Sequence, residues 1–161
     1  MRVMPRFLCD AMLGTLARWL RLLGYDAELA RPEERDAAIA ARAAREGRWL
    51  LTRDRELAAR GPRTVLVRAE ELEAQLVEVV ERLGLEPGPL AGTRCAACNG
   101  GVEPAAREEV APVVPPHVLR TAPSFRRCRR CGRVYWRGSH VERIERRLER
   151  VLAAARGGGG P

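Results

Sequence analysis

Two groups of side chains in this 161-residue chain could do chemistry. The first is a set of carboxylates that follow short apolar runs. Asp10 comes directly after VMPRFLC, Asp54 comes just after RWLLT, and Asp36 stands near the start of an alanine-rich stretch, with Glu56 two residues beyond Asp54. Clustered carboxylates repel one another unless a cation holds them, and hard divalent ions such as Mg²⁺ or Mn²⁺ take oxygen ligands. Such an ion can activate water for attack on a phosphodiester and stabilise the leaving oxygen. The second group is cysteine. Cys95 and Cys98 form one CxxC pair and Cys128 and Cys131 another, with 29 residues between the pairs. Doubled CxxC pairs suit a tetrahedral Zn²⁺ site, because each tight knuckle brings two soft thiolates to one ion. A dithiol redox pair and an iron–sulfur site use the same residue type, but redox motifs are seldom doubled. Cys9 stands alone and reads as a small buried residue.

Charge separates the chain into two parts. All 29 basic residues are arginine, so a lysine Schiff base and a Walker-type phosphate loop are excluded. Residues 1–90 carry 15 arginines against 15 acids, whereas residues 91–161 carry 14 against 6 and hold the whole net charge of +8. A polyanion is the partner this asymmetry suggests. Around the second knuckle, Arg126, Arg127, Arg129, Arg130, Arg133 and Arg137 alternate with Phe125, Tyr135 and Trp136. Guanidinium forks grip phosphates and aromatic rings stack on unpaired bases, so Arg126 to Arg137 with Tyr135 and Trp136 read as a surface for single-stranded RNA, with His140 as a further contact. The same aromatics could instead pack the cysteine module on its neighbour. His117, in a proline-rich loop, is assigned no role.

The elements that must position these groups follow from periodicity. Residues 3–9 predict a short strand, and Asp10 caps a helix with Met12, Leu16, Trp19, Leu20 and Leu23 on its apolar face. Tyr25–Ala30 predicts a second strand, Glu33–Arg45 a helix, Arg48–Thr52 a third strand, and Asp54 opens a short helix. Thr64–Val67 predicts a fourth strand, and Glu70–Leu83 an amphipathic helix. Strand and helix in alternation mean a parallel sheet covered on both faces. All strand ends then share one edge, so Asp10 and Asp54 become neighbours there, joined by Asp36 if its helix starts at that edge. Capping alone would also explain an aspartate after a strand. Asp26, Glu70, Glu71 and Glu73 read as surface or first-turn acids. Gly84, Pro87, Gly88, Pro89 and Gly92 mark a linker. The last helix, with Ser139 and Glu142 as a capping box, carries the stripe Val141, Ile144, Leu148, Val151 and Leu152, and GGGGP is a frayed tail.

The stretches FLCDAMLGTLARWLRLLGYDA, LLTRDREL, RCAACNG and CRRCGRVYWRGSH resemble the mut-seven C-terminal RNase family, in that family's order, from about Phe7 to His140. The resemblance implies a PIN-like nuclease domain with a zinc ribbon on its C-terminal side, and with the linker, last helix and tail read above the expected division is nuclease domain 1–90, zinc ribbon 91–138, C-terminal helix 139–156 and flexible tail 157–161. It implies ribonuclease activity with Mg²⁺ or Mn²⁺ on Asp10, Asp54 and the weaker match Asp36, and leaves Glu56 or Glu70 for a fourth acid. Zn²⁺ on Cys95, Cys98, Cys128 and Cys131 would be structural. The fold expected is therefore α/β, a PIN-like parallel sheet flanked by helices with a small zinc-ribbon module and a C-terminal helix. No targeting segment or apolar span is evident, and unpaired cysteines suit a reducing, cytoplasmic setting. The rival reading is a non-catalytic RNA- or ribosome-binding protein whose acids are only caps.

Overall fold

The computed structural model describes residues 3–86 and 92–157. Pro87, Gly88 and Pro89 of the expected linker, tail residues 158–161 and the side chains of Ser139 and His140 lie outside the described part.

Four short strands, β1 (Phe7–Cys9), β2 (Ala27–Leu29), β3 (Trp49–Thr52) and β4 (Thr64–Leu66), form a parallel sheet in the order β2-β1-β3-β4. Their apolar runs are sorted by the pleat, whose alternate side chains face opposite ways. Phe7, Cys9, Leu51 and Val65 enter one core cluster, and Leu8 and Leu50 enter another. The first cluster is covered by α1 (Gly14–Leu22) and α4 (Leu72–Leu83), through Leu16, Trp19, Leu20, Leu76, Val79 and Val80. The second lies under α2 (Asp36–Glu46) and α3 (Arg55–Ala58), through Ile39, Ala43 and Leu57. Helices on both faces are thus what the alternating pattern requires.

Two local departures from the sequence pattern have physical causes. The chain after Asp10 first makes a single 3₁₀ turn (Ala11–Leu13) before α1 begins. The tighter three-residue turn rotates Met12 away from the helix's apolar face, and Met12 is 80% exposed instead of buried. Pro5 has no N–H to donate, and only the last three residues of the first apolar run join the sheet.

A second, antiparallel sheet has the order β5-β6-β7, formed by Val102–Ala105, Phe125–Cys128 and Val134–Trp136. Two short helices, α5 (Arg107–Val110) and α6 (Pro116–Thr121), fill the excursion between the cysteine pairs. They make a small apolar cluster of Val110, Val114, Ala122 and Phe125, against which Trp136 packs. Helix α7 (Ser139–Gly157) then returns to the parallel sheet's own core. Leu148, Val151, Leu152 and Ala155 join the α1/α4 cluster, while Arg147 sits 4.8 Å over the Trp19 ring and pairs with Glu73 at 2.6 Å. Among the described residues, no helix is long and apolar enough to cross a membrane.

Candidate functional site

Strand register brings the candidate acids to one edge. Cys9 lies level with Leu29 and Leu51, and Thr52 with Leu66, so every connection leaves the sheet on the same side. The chain runs outward from β1 to β2 in one direction and from β3 to β4 in the other. A ligand crevice forms where such directions diverge, between β1 and β3, and there Asp10 and Asp54 emerge. The Asp10 N–H donates to the Leu51 carbonyl at 2.9 Å, extending the ladder into the site.

One buried hydroxyl ties the two acids together. Thr52 Oγ1 donates to Asp10 Oδ2 at 2.9 Å and accepts from the Asp54 N–H at 3.0 Å. Asp10 Oδ1 accepts from the Ala11 N–H at 2.8 Å, capping the 3₁₀ turn. Asp54 Oδ1 accepts from the N–H groups of Glu56 at 2.8 Å and Leu57 at 3.2 Å, capping α3. Both capping expectations hold, yet capping occupies one oxygen of each carboxylate. Asp54 Oδ2 has no partner among the described residues, and Asp54 is exposed. Thr52 was not singled out from the sequence, although a hydroxyl residue two positions before a helix-capping aspartate is a usable signal.

Asp36 is the first residue of α2, which starts from the same edge after the connection from β2. Glu56 is exposed in the first turn of α3. Glu70 is exposed beyond β4, with Oε1 4.0 Å from Arg53. Thus Asp10, Asp36, Asp54 and Glu56 share an edge. Among the described residues, however, the four cysteines are the one group of three or more His, Cys, Asp or Glu side chains gathered closely enough to hold an ion.

The Sγ atoms of Cys95, Cys98, Cys128 and Cys131 all lie within 4.8 Å of one another. The 95–131 and 98–128 separations are 3.6 and 3.4 Å, close to the edge of about 3.8 Å in a tetrahedron with Zn–S bonds near ~2.3 Å. Burial opposes ionisation of Cys95, but hydrogen bonds from the Tyr135 hydroxyl, 2.9 Å away, and from the backbone of Cys98 and Ala97 together outweigh it and hold the thiol down at about 6. Burial and the neighbouring thiols push Cys98 up to about 12. Four sulfurs this close cannot all ionise without a cation, and the donor set fits zinc. Backbone N–H groups of Gly100 and Arg130 point at the sulfurs of Cys98 and Cys128, at 3.4 and 3.3 Å. Cys9, by contrast, is fully buried in the core and pushed up to about 12, so it stays a neutral thiol.

The first knuckle docks directly on the parallel sheet's edge strand, through residues to which the sequence reading assigns no docking role. Asn99, 2% exposed and in the left-handed region at φ 70°, accepts from the Ala27 N–H of β2 at 3.0 Å. Its amide donates to Asp26 Oδ1 at 2.8 Å and Glu28 Oε1 at 3.1 Å. Arg21, buried at the end of α1, donates to the carbonyls of Ala27, Ala96 and Ala97 at 2.8, 2.9 and 3.3 Å. Asp26, expected on the surface, is instead a hub that binds Arg48, Arg6 and Asn99. Burial disfavours its charge, but the bonds from Arg48 and Asn99 prevail and hold it down at about 2.

Most of the arginines expected to face RNA have internal partners. Arg129 pairs with Glu103 at 2.7 Å, Arg137 with Glu145 at 2.7 Å, and Arg130 donates to the Cys98 carbonyl at 3.0 Å. Arg126 and Arg127 donate to the carbonyls of Gly92 and Gly132 at 3.2 Å each. Arg133 is exposed, and its side chain has no hydrogen-bond or ion-pair partner among the described residues. Tyr135 faces the cysteine cluster, and Trp136 packs edge-on against Phe125, with ring centroids 6.5 Å apart.

The model of a protein family described as the Mut7-C RNAse domain matches residues 5–148, from the residues before β1 into α7. The chain belongs to the Mut7-C RNAse domain family. No curated protein and no solved structure matches it significantly. The Mut7-C match takes in both the acidic edge and the cysteine cluster, and it supports a nuclease, with RNA as the substrate an RNase domain implies. It also reaches Leu148, a buried residue of α7, so the Mut7-C match includes the first half of the helix that packs on the core.

Proposed function

We propose that this chain is a metal-dependent ribonuclease of PIN-like architecture, acting on single-stranded RNA at the carboxyl edge of its parallel sheet. The observation that carries the reading is the pairing of Asp10 and Asp54 through Thr52 at the point where the sheet's connections diverge. Asp10 and Asp54, with Asp36 and Glu56 beside them, are the oxygen donors for Mg²⁺ or Mn²⁺. Bound there, the ion supplies an activated water and stabilises the leaving oxygen of an RNA phosphodiester. Thr52 fixes the Asp10 carboxylate, and the first N–H groups of α3 hold Asp54 through Oδ1, leaving Oδ2 without a partner among the described residues. Zinc on Cys95, Cys98, Cys128 and Cys131 is structural, and a reducing cytoplasmic setting keeps those thiolates available. The ribbon assists RNA binding through Arg133 and the exposed rims of Arg129 and Arg137, with His140 at the start of α7.

The test is cleavage of a labelled single-stranded RNA with Mn²⁺ added or withheld, for the native chain, Asp10→Asn and Asp54→Asn. Cleavage that needs both the ion and both carboxylates is expected. One observation favours a second reading: Asp10 and Asp54 both serve as caps. Intact RNA throughout, with binding retained, would establish the non-catalytic RNA- or ribosome-binding protein instead.

A further inference from the structure

Summed over residues 1–90 the charge is zero, which directs attention to the ribbon as the RNA surface. The fold redistributes that neutral charge. Arg6, Arg21, Arg42 and Arg48 spend their guanidinium groups on internal bonds, to Asp26, the knuckle carbonyls, Glu34 and Glu46. Among the exposed arginines left over, topology collects five at the edge where Asp10 and Asp54 emerge, while Arg18, Arg45, Arg60 and Arg63, also without a side-chain hydrogen-bond or ion-pair partner among the described residues, lie away from it. Arg31 and Arg35 lie in the connection leaving β2, Arg53 and Arg55 flank Asp54 beyond β3, and Arg68 follows β4. All five are exposed. The side chains of Arg31, Arg35, Arg55 and Arg68 have no hydrogen-bond or ion-pair partner among the described residues, and Arg53 has only Glu70, at 4.0 Å.

We propose that these five arginines form a collar that grips the RNA backbone on either side of the carboxylates. The collar rests on the nuclease reading for its purpose but not for its chemistry. A guanidinium fork binds a phosphate through paired N–H donors, and at this edge the forks of Arg31, Arg35, Arg55 and Arg68 are taken by no acceptor among the described residues. From β2 to β4 the sheet spans three strand spacings, about 14 Å, the length of about four stacked nucleotides. Phosphates on both sides of a scissile bond at Asp10 and Asp54 therefore fall within the collar. A cation between the carboxylates and arginines around them would divide the labour: the first acts on the bond cut, the second on its neighbours.

The experiment measures RNA binding by the zinc-loaded full chain, with no Mg²⁺ or Mn²⁺ added, as salt rises from about 50 to about 200 mM. Each phosphate contact on a single strand contributes about 0.7 to the slope of log K against log salt. Replacing Arg35, Arg55 and Arg68 together by Ala should lower that slope by about 2, and the single reversal Arg55→Glu should lower it measurably with the melting temperature unchanged. The triple Lys version, which keeps the charges, should retain most of it. An unchanged slope in the Ala triple and in Arg55→Glu overturns the collar. So does a slope lost only when Arg143, Arg146 and Arg150 are replaced; these three exposed α7 arginines are likewise unpartnered among the described residues. Because binding is read without cleavage, failure of the catalytic reading would show in the Asp10→Asn and Asp54→Asn reactions and not here.

Discussion

Asn99→Ala tests one of the two buried side chains, with Arg21, that fasten the first cysteine knuckle to the parallel sheet. The substitution removes an acceptor from the Ala27 N–H and a donor from Asp26 and Glu28, at a residue 2% exposed. An orphaned buried N–H costs about 1–3 kcal/mol. Asp26 keeps Arg48 and Arg6, so the two lost carboxylate bonds add about 1 kcal/mol together. Alanine at φ 70° adds about 1 kcal/mol of backbone strain that asparagine bears more readily. The sum is about 4 kcal/mol, or a fall of about 10 °C in melting temperature for a chain of this size. Urea denaturation of the zinc-loaded protein would measure the energy, and hydrogen exchange at Ala27 would show whether edge strand β2 opens. Asn99→Gly loses the same side-chain bonds without the strain, so it should be about 1 kcal/mol more stable than Asn99→Ala. A variant within ~0.5 kcal/mol of the native chain, with Ala27 still protected, would refute the claim that the knuckle braces the sheet.

Three further outcomes follow from the same geometry. Asp26 is held down at about 2 when folded, against an ordinary value of 3.8, so its contribution is complete above the unfolded value and disappears as pH falls through about 2. That contribution is about 2 kcal/mol, and Asp26→Asn should flatten the acid limb of a pH–stability curve between those values. A Cβ on Gly100 would lie 2.8 Å from Arg130 Cβ and 2.9 Å from Cys128 Sγ, whereas one on Gly101 meets nothing within 4 Å. Gly100→Ala should therefore weaken zinc retention against a chelator by about tenfold or more, and Gly101→Ala should leave it unchanged. Thr52→Val keeps the shape but strips the hydroxyl shared by Asp10 and Asp54, leaving the Asp54 N–H unpaired. It should cost about 2 kcal/mol in denaturation and lower Mn²⁺-dependent cleavage, and cleavage at the native rate would count against Thr52 as the positioning residue.

What sequence alone determined is everything that repeats or is spaced. The short apolar runs and helical periodicity of residues 7–83, alternating strand with helix, specified a parallel sheet with helices on both faces, because strands apolar on both sides must be covered on both sides. The CxxC pairs determined their own cluster, since two intervening residues bring two thiolates into reach. Strand-end positions place Asp10 and Asp54 at one edge, since every strand of a parallel sheet ends on the same side. Helices α5 and α6 were not legible, being too short and too rich in proline on either side to show a period. Met12 was misplaced because a 3₁₀ turn changes the count by less than one residue.

Tertiary structure alone decided how the parts bear on one another. Asn99 finds Ala27 across 72 residues and Arg21 finds Ala96 across 75, and a single polar side chain carries no periodicity that would name so distant a partner. The return of Leu148, Val151 and Leu152 to the first core, across the intervening ribbon, is a matter of which apolar face lies within reach, and many faces would satisfy the same stripe. Above all, the chain's 29 arginines are alike in sequence. Which of them are spent on carboxylates and carbonyls, and which stay free beside Asp10 and Asp54, depends on distances of a few ångströms that only folding sets.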